Sequence, residues 1–274
     1  MKLLSWNCRG VGRALTVRSL KALAHAKGPD VFFVAETKSK SPRIEKLKNS
    51  MGFAHCYNVD NVGCAGGLAL FWKMGVDLEV IFANKNVVVS LVYSYPSDSV
   101  WMLISVHGPP YLAKRKKFWA LMEEIIFEFS RLWLLIGDLN STVSSSERSG
   151  GKHNGEVSSR CFRDFVSNVG AIDLGFCGPK FTWTNRRAGW ANIRERLDRG
   201  LCNADWQQVF PKAGVKHLIA PNSDHNPILL DTHQEVSKGS RPFRFEAIWT
   251  KEDSSSEVVE RAGLCRWKAR IIIV

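Results

Sequence analysis

The chain has 274 residues, 45% hydrophobic and 23% charged, which excludes disordered and fibrous classes and leaves room for one large α/β domain. Lys and Arg number 38 against 26 Asp and Glu, a formal charge of +12 that favours polyanionic partners, nucleic acid among them. Seven cysteines without a CxxC pair read as reduced thiols of an intracellular protein, and no apolar run approaches the roughly 20 residues of a membrane span.

In chain order, LLSWNC (3–8) is an apolar strand closed by the Gly-rich turn CRGVGR, and it enters no signal peptide. LTVRSLKALAHAK follows with Leu15, Leu20, Leu23 and Ala24 near helical spacing. VFFVAE (31–36) comes after the breaker Gly28-Pro29-Asp30, and its unbroken apolar character suits a strand buried on both faces that ends on a carboxylate. From Phe53 to Val106 the runs GGLALFWK, VDLEVIF, NVVVSLVY and VWMLISVH predict short antiparallel strands. RKKFWALMEEIIFEFSRL (115–132) is a helix with Phe118, Leu121, Ile125 and Phe129 on one face, and WLLIGDLN is a further strand ending in polar residues. The Ser- and Gly-rich stretch 141–157 is a surface loop beside GDLN. A helix around SRCFRDFVSNV, strands at FTWTN, IRERLDRGL and VKHLI, and the turn APNSDHNPILL complete the periodic region. Periodicity fades after Leu230, so residues 1–233 are expected to form the domain and 234–274 a linker-like, truncated tail with too little apolar area for its own core.

The recurring design is an apolar strand that stops abruptly at Asn, Glu, Asp or His, and α/β folds put their chemistry at such ends. Glu36 is either exposed just past its strand or held by a cation, since an unpaired buried carboxylate is costly. Asp138 and Asn140 of GDLN share a side at i, i+2, with Gly137 permitting close backbone approach. Hard oxygen ligands of this kind suit Mg²⁺, which takes one or two carboxylates plus water and substrate phosphate. In SDHNP (223–227) an acid adjoins an imidazole before a strand, and Pro227 stiffens the turn. Taken singly, each of these reads better as a turn former, an exposed acid or a satisfied surface or core group.

Together, the order WN, E, GDLN, RLDR and SDH resembles the endonuclease/exonuclease/phosphatase superfamily over residues 1–233. The connecting text DLGFCGPKFTWTNRR, ERLDRGLCNADW, SDHNPILL and RPFRFEAIW resembles more narrowly the endonuclease domain of plant LINE-type, non-LTR retrotransposons. The resemblance implies an α/β (α+β) four-layer sandwich, two mixed β-sheets face to face with helices outside. It implies Glu36 as principal metal ligand with Asn7 nearby, and Asp224 completing the metal or water network. Asp138 would orient or deprotonate the attacking water and Asn140 would hold the phosphate or that water. His225 would hydrogen-bond the scissile phosphate, with Asp198 fixing its tautomer and orientation. Thr182 matches a phosphate-contacting position, and Ser223 joins the phosphate-binding set. The implied cofactor is Mg²⁺, with Mn²⁺ as a substitute, and the implied reaction is in-line hydrolysis leaving 3′-hydroxyl and 5′-phosphate ends. One departure stands out: His107 in LISVHGPP occupies a slot where the family usually has Tyr, which weakens the expectation of activity or marks a decayed element.

Arg186 and Arg187 with Trp183 and Trp190, then Arg194, Arg196 and Arg199, lie between two site motifs. They are either a surface for phosphates and splayed bases or tryptophan core with a solvated arginine face. The leading expectation is a monomeric, intracellular, nuclear or cytoplasmic DNA endonuclease that nicks a target strand for retrotransposition, with a reverse transcriptase domain following in a full-length element. The alternatives are an abasic-site endonuclease or another phosphoesterase of the same fold, and a decayed retroelement remnant without activity.

Overall fold

The computed structural model describes residues 1–96, 99–129, 131–151, 156–220 and 223–234, with the side chains of 156–159 left aside. A first compact unit spans Met1–Gln234; the second, Glu235–Val274, lies outside the described residues, and with it the expected tail. The chain opens with β1 (Lys2–Asn7), α1 (Ala14–Lys27), β2 (Val31–Ala35), α2 (Ser41–Met51), β3 (His55–Val59) and β4 (Leu68–Trp72). Then come β5 (Leu78–Ala83), β6 (Val87–Val92), β7 (Trp101–His107), α3 (Leu112–Phe129) and β8 (Trp133–Asp138). After the two-residue β9 (Arg148–Ser149) follow α4 (Glu156–Asn168), β10 (Ile172–Asp173), β11 (Trp183–Thr184), β12 (Arg194–Glu195) and β13 (Asp198–Cys202). The chain ends in α5 (Ala204–Val209), β14 (Gly214–His217) and β15 (Ile228–Asp231).

Two six-stranded sheets result, one in the order β14-β15-β1-β2-β4-β3 and the other β10-β13-β8-β7-β6-β5. Each is mixed, with a single parallel pair: β1 with β2, joined through α1, and β7 with β8, joined through α3. Small β9, β11 and β12 form a third, three-stranded sheet.

The apolar residues sort into three layers. Leu3, Phe33, Leu70, Leu103, Leu134 and Ile136 meet between the large sheets. Leu4, Phe32, Val34 and Phe71 face the opposite way and pack with Leu20 of α1 and Ile44 of α2. Ile104, Val106 and Leu135 pack with Trp119 and Met122 of α3 and with Phe162 and Phe165 of α4. This is the expected four-layer sandwich, helices outside and sheets face to face. Helix α2 escaped the sequence reading, although Ile44, Leu47 and Met51 are its buried stripe and a proline stands at its N-terminus. Short α5, entered through the Asn203 cap on Trp206 N, escaped it too. Among the described residues all six cysteines are free, and only Cys8 and Cys202 of them are buried; no helix among these residues is long and apolar enough to cross a membrane.

This layering positions the strand ends. On β1, β7 and β8 the inter-sheet layer takes Leu3, then Leu103, then Leu134 and Ile136. The period of two carries that inward register on to Asn7, His107 and Asp138. Gly137, at φ 145°, lies against β7, where a Cβ would overlap the carbonyl oxygen of Val106. Gly137→Ala is expected to lower the unfolding free energy by about 2 kcal/mol or more, measured by urea denaturation, since both clash and φ oppose it.

Candidate active site

Six strand ends and turns converge on one buried carboxylate. Asp138, 1% exposed, closes β8 opposite His107 of β7 and Asp198 of β13. Asn7 Nδ2 donates to Asp138 Oδ2 at 3.0 Å and lies 3.4 Å from Glu36 Oε1. Asn140, left-handed at φ 49°, folds back so that its backbone N–H donates to Asp138 Oδ1 at 2.9 Å. Its amide donates to Gly108 O at 2.8 Å and reaches Asp138 Oδ2 at 3.3 Å. His225 Nε2 is 3.6 Å from Asp138 Oδ2, and its Nδ1 is 3.1 Å from Asp198 Oδ2. His107 is buried on an intact strand, its Nε2 3.5 Å from Glu36 Oε1 and 3.9 Å from Asp138 Oδ2.

The imidazole–carboxylate pair is tightly framed. Trp6 Nε1 donates to His225 O at 3.0 Å, and His225 N donates to Ser223 Oγ at 3.1 Å. Ser223 Oγ in turn donates to Asn7 O at 2.9 Å, joining the SDH turn to the end of β1. Thr182 Oγ1 accepts from Leu197 N at 2.9 Å and Asp198 N at 3.0 Å, fixing the start of β13. Burial alone would depress the His225 imidazole, but the carboxylates of Asp138, Asp198 and Asp224 outweigh it and raise the pKa to about 9. Burial pushes the Asp198 carboxyl upward. His225 Nδ1 thus faces the Asp198 carboxyl in a buried recess.

Glu36 and Asp224 form the outer rim. Burial would raise the Glu36 carboxyl, but His107, Arg9 and Lys38 hold it well below the usual carboxylate range. Asp224 is likewise lowered against its burial, by Arg9, His225 and Trp183. Arg9 Nε and Nη2 contact its two oxygens at 2.9 and 2.7 Å, and Trp183 Nε1 donates to Oδ2 at 3.1 Å. Among the described residues five non-glycines have positive φ, namely Arg9, Glu36, Lys38, Asn140 and Arg186. All five border this site, where sparsely populated backbone conformations concentrate.

The donor set fits a hard divalent cation. Glu36 and Asp138 supply carboxylate oxygens; Asn7 and His107 reach both acids, and Arg9 and Lys38 pair with Glu36. Asp138, Asp198 and His225 also bring one ligand atom each within 4.8 Å of one another. That trio suits an ion less well, because the His225 and Asp198 atoms already bond each other.

The structure therefore gathers Asn7, Glu36, His107, Asp138, Asn140, Asp198, Asp224 and His225. Thr182 and Ser223 are buried, and their hydroxyls bond the backbone of β13 and the end of β1. Two expectations need correction. Arg196 and Arg199 are neither DNA surface nor solvated face. Both are buried in a four-membered network with Glu147 and Asp173 at 2.7 to 3.1 Å that braces β13. By contrast Trp190 is 98% exposed and Arg194 is exposed over the Phe181 ring. Arg186 donates to Ser223 O, and Arg187 is exposed, its backbone N–H donating to Asn185 Oδ1. Arg9 and Lys38 went unread, because CRGVGR registers as a turn and the partners of its arginine lie far off in sequence.

A site of carboxylates, amides and an imidazole at the joined ends of two packed sheets defines a phosphoester-hydrolase class of fold. The chain belongs to the endonuclease/exonuclease/phosphatase family, whose model matches residues 4–225, and its members are metal-dependent phosphodiesterases. It is similar to a solved 3′-5′ exonuclease from Neisseria meningitidis at 17% identity and TM-score 0.66, covering 84% of this chain and 99% of that one. An apurinic/apyrimidinic endonuclease from Archaeoglobus fulgidus matches at 14% identity and TM-score 0.64, covering 84% and 98%. The endonuclease domain of TRAS1, a telomere-specific non-LTR retrotransposon, matches at 15% and 0.61, covering 84% and 97%. No curated protein matches in sequence.

The raised His225 value makes stability pH-dependent. Its proton stabilises the fold fully below about 6.5, and that contribution is lost as pH rises through about 9. In chelator-treated protein, the urea-unfolding difference between wild type and His225→Gln is expected to be largest near pH 6 and to shrink as pH passes about 9. A difference that stays constant with pH contradicts the assignment.

Proposed function

We propose that this chain is a Mg²⁺-dependent DNA endonuclease that nicks one strand of its target, leaving a 3′-hydroxyl for retrotransposition. The observation that carries the reading is the convergence of Glu36, Asp138, Asn140 and the His225–Asp198 pair within hydrogen-bond and ion-pair distance of one another. Family membership supports phosphodiester chemistry, the +12 charge supports a polyanionic substrate, and the retrotransposon-like connecting text supports the biological setting. Residues 1–233 are taken as the catalytic domain of a monomer, acting in the nucleus or cytoplasm.

Glu36, with Asn7 beside it, would hold the ion, and Mg²⁺ bound there would supply Lewis-acid polarisation of the phosphoryl oxygen and stabilise the leaving 3′ oxygen. Asp138 has the burial and the acceptor oxygens to orient an attacking water and take its proton. Asn140 holds the Asp138 carboxylate from both amide and backbone, which fixes the acceptor direction. His225, kept protonated by the acids around it and aligned by Asp198, donates to phosphate oxygen as negative charge grows on it. Asp198 acts through His225 as a positioning residue. His107, where a tyrosine is usual, donates from the same strand end, and its contact with Glu36 keeps it inside the site. Trp190, Arg187 and Arg194 offer the exposed aromatic and basic surface that single-stranded or distorted DNA requires.

Purified protein with supercoiled plasmid and Mg²⁺ is expected to yield open circles. Glu36→Ala and Asp138→Asn should each lower the rate by about a hundredfold or more. Absence of nicking above the Glu36→Ala background overturns the activity. Preferential cleavage of abasic duplex over plain duplex moves the reading to abasic-site repair.

A further inference from the structure

Both oxygens of Glu36 already carry a counterion. Arg9 Nη1 lies 3.4 Å from Oε1, and Lys38 Nζ lies 3.1 Å from Oε2. Arg9 is gripped from behind, because Nε and Nη2 donate to the two oxygens of Asp224 at 2.9 and 2.7 Å. Trp183 Nε1 shares Asp224 Oδ2 at 3.1 Å, and Ser223 Oγ stands 3.5 Å from Oδ1. The guanidinium therefore spans two acids that belong to opposite ends of the chain. The backbone is bent for it: Arg9 has φ 57°, left-handed and unfavourable for a side chain of this size. Its amide is tied down at the same time, donating to Asn7 Oδ1 at 3.3 Å.

The two halves of the Arg9 contact are unequal. A forked guanidinium–carboxylate pair with two short bonds is a strong, directional interaction, whereas a single 3.4 Å contact is weak. A cation arriving at Glu36 displaces the weak half first and leaves the Asp224 half intact. With both Asp224 oxygens engaged, Asp224 has little to offer an ion directly.

We propose that Arg9 is an internal counterion that competes with the divalent ion for Glu36, and that Asp224 positions Arg9 and is not itself an ion ligand. This rests on the reading of Glu36 as the ion-binding residue. Once the ion holds Glu36, the Nη1 end of Arg9 is released while its charge stays at the rim of the site, on a side chain 42% exposed. Lys38, on the other oxygen, adds a second cation at the same rim.

Isothermal titration of the chelator-treated full chain with MnCl₂ tests this directly, without substrate. Glu36→Gln should abolish binding, and Arg9→Gln should tighten it by about threefold, the scale of a partly exposed ion pair. Adding Asp224→Asn to Arg9→Gln should leave the affinity of the single variant unchanged. Thermal unfolding of every variant checks that each is folded. An Arg9→Gln affinity equal to or weaker than wild type overturns the competition. A loss of about tenfold on adding Asp224→Asn overturns the positioning role and makes Asp224 a ligand. Ion binding that survives Glu36→Gln defeats the reading of Glu36 along with the proposal, whereas loss in Glu36→Gln without gain in Arg9→Gln defeats the proposal alone.

Discussion

A carboxylate buried where two sheets meet has to be surrounded by donors, and Asp138 imposes that demand on the rest of the molecule. Left bare in a low-dielectric interior it would cost several kcal/mol or be protonated. Its neighbours meet the demand from both sheets: Asn7 from β1, and His107, Asn140 and His225 from β7, the loop after β8 and the turn before β15. Because those donors hang from different sheets, the inter-sheet packing around Leu3, Leu103 and Ile136 also sets the distances at the site. The hydrophobic layer and the polar recess are one construction, the same inward register continued past the point where the sheets part.

The buried ion network plays a similar part for β13. Arg196 and Arg199 are held between Glu147 and Asp173, and Arg199 also lies over the Phe162 ring of α4. This ties the loop after β8, the short β10 and the helix layer to the strand that carries Asp198. Buried pairs of this kind contribute less to net stability than to uniqueness of arrangement, since removing one partner strands the others.

How much of this was legible in sequence follows from what is local. An apolar run stopping at Glu36 or Asp138 is visible within six residues, whereas Asn140 reaches Asp138 through a left-handed turn past the strand end that a period of two does not describe. Ordering those motifs along the chain was enough for the fold. The direction of Thr182 and Ser223 was not legible, because loop side chains have no periodicity to aim them, and both turn inward to satisfy backbone donors and acceptors. Nor was the fate of Arg199, whose partner Glu147 lies in a Ser-rich loop 52 residues earlier. Arg9 was hidden for the same reason, its carboxylate Asp224 being 215 residues away. The stripe of α2, Ile44, Leu47 and Met51, was readable and went unread.

The left-handed residues around the mouth have an evolutionary and engineering consequence. Glycine at Arg9, Lys38 or Asn140 would relax the backbone by roughly 1 kcal/mol each, so a search for thermostable variants would drift toward it. Every such gain would delete a charge or an amide that the recess uses. Robustness and catalysis are set against each other at these positions, and consensus-style stabilisation of this chain belongs in the outer helices, away from the rim.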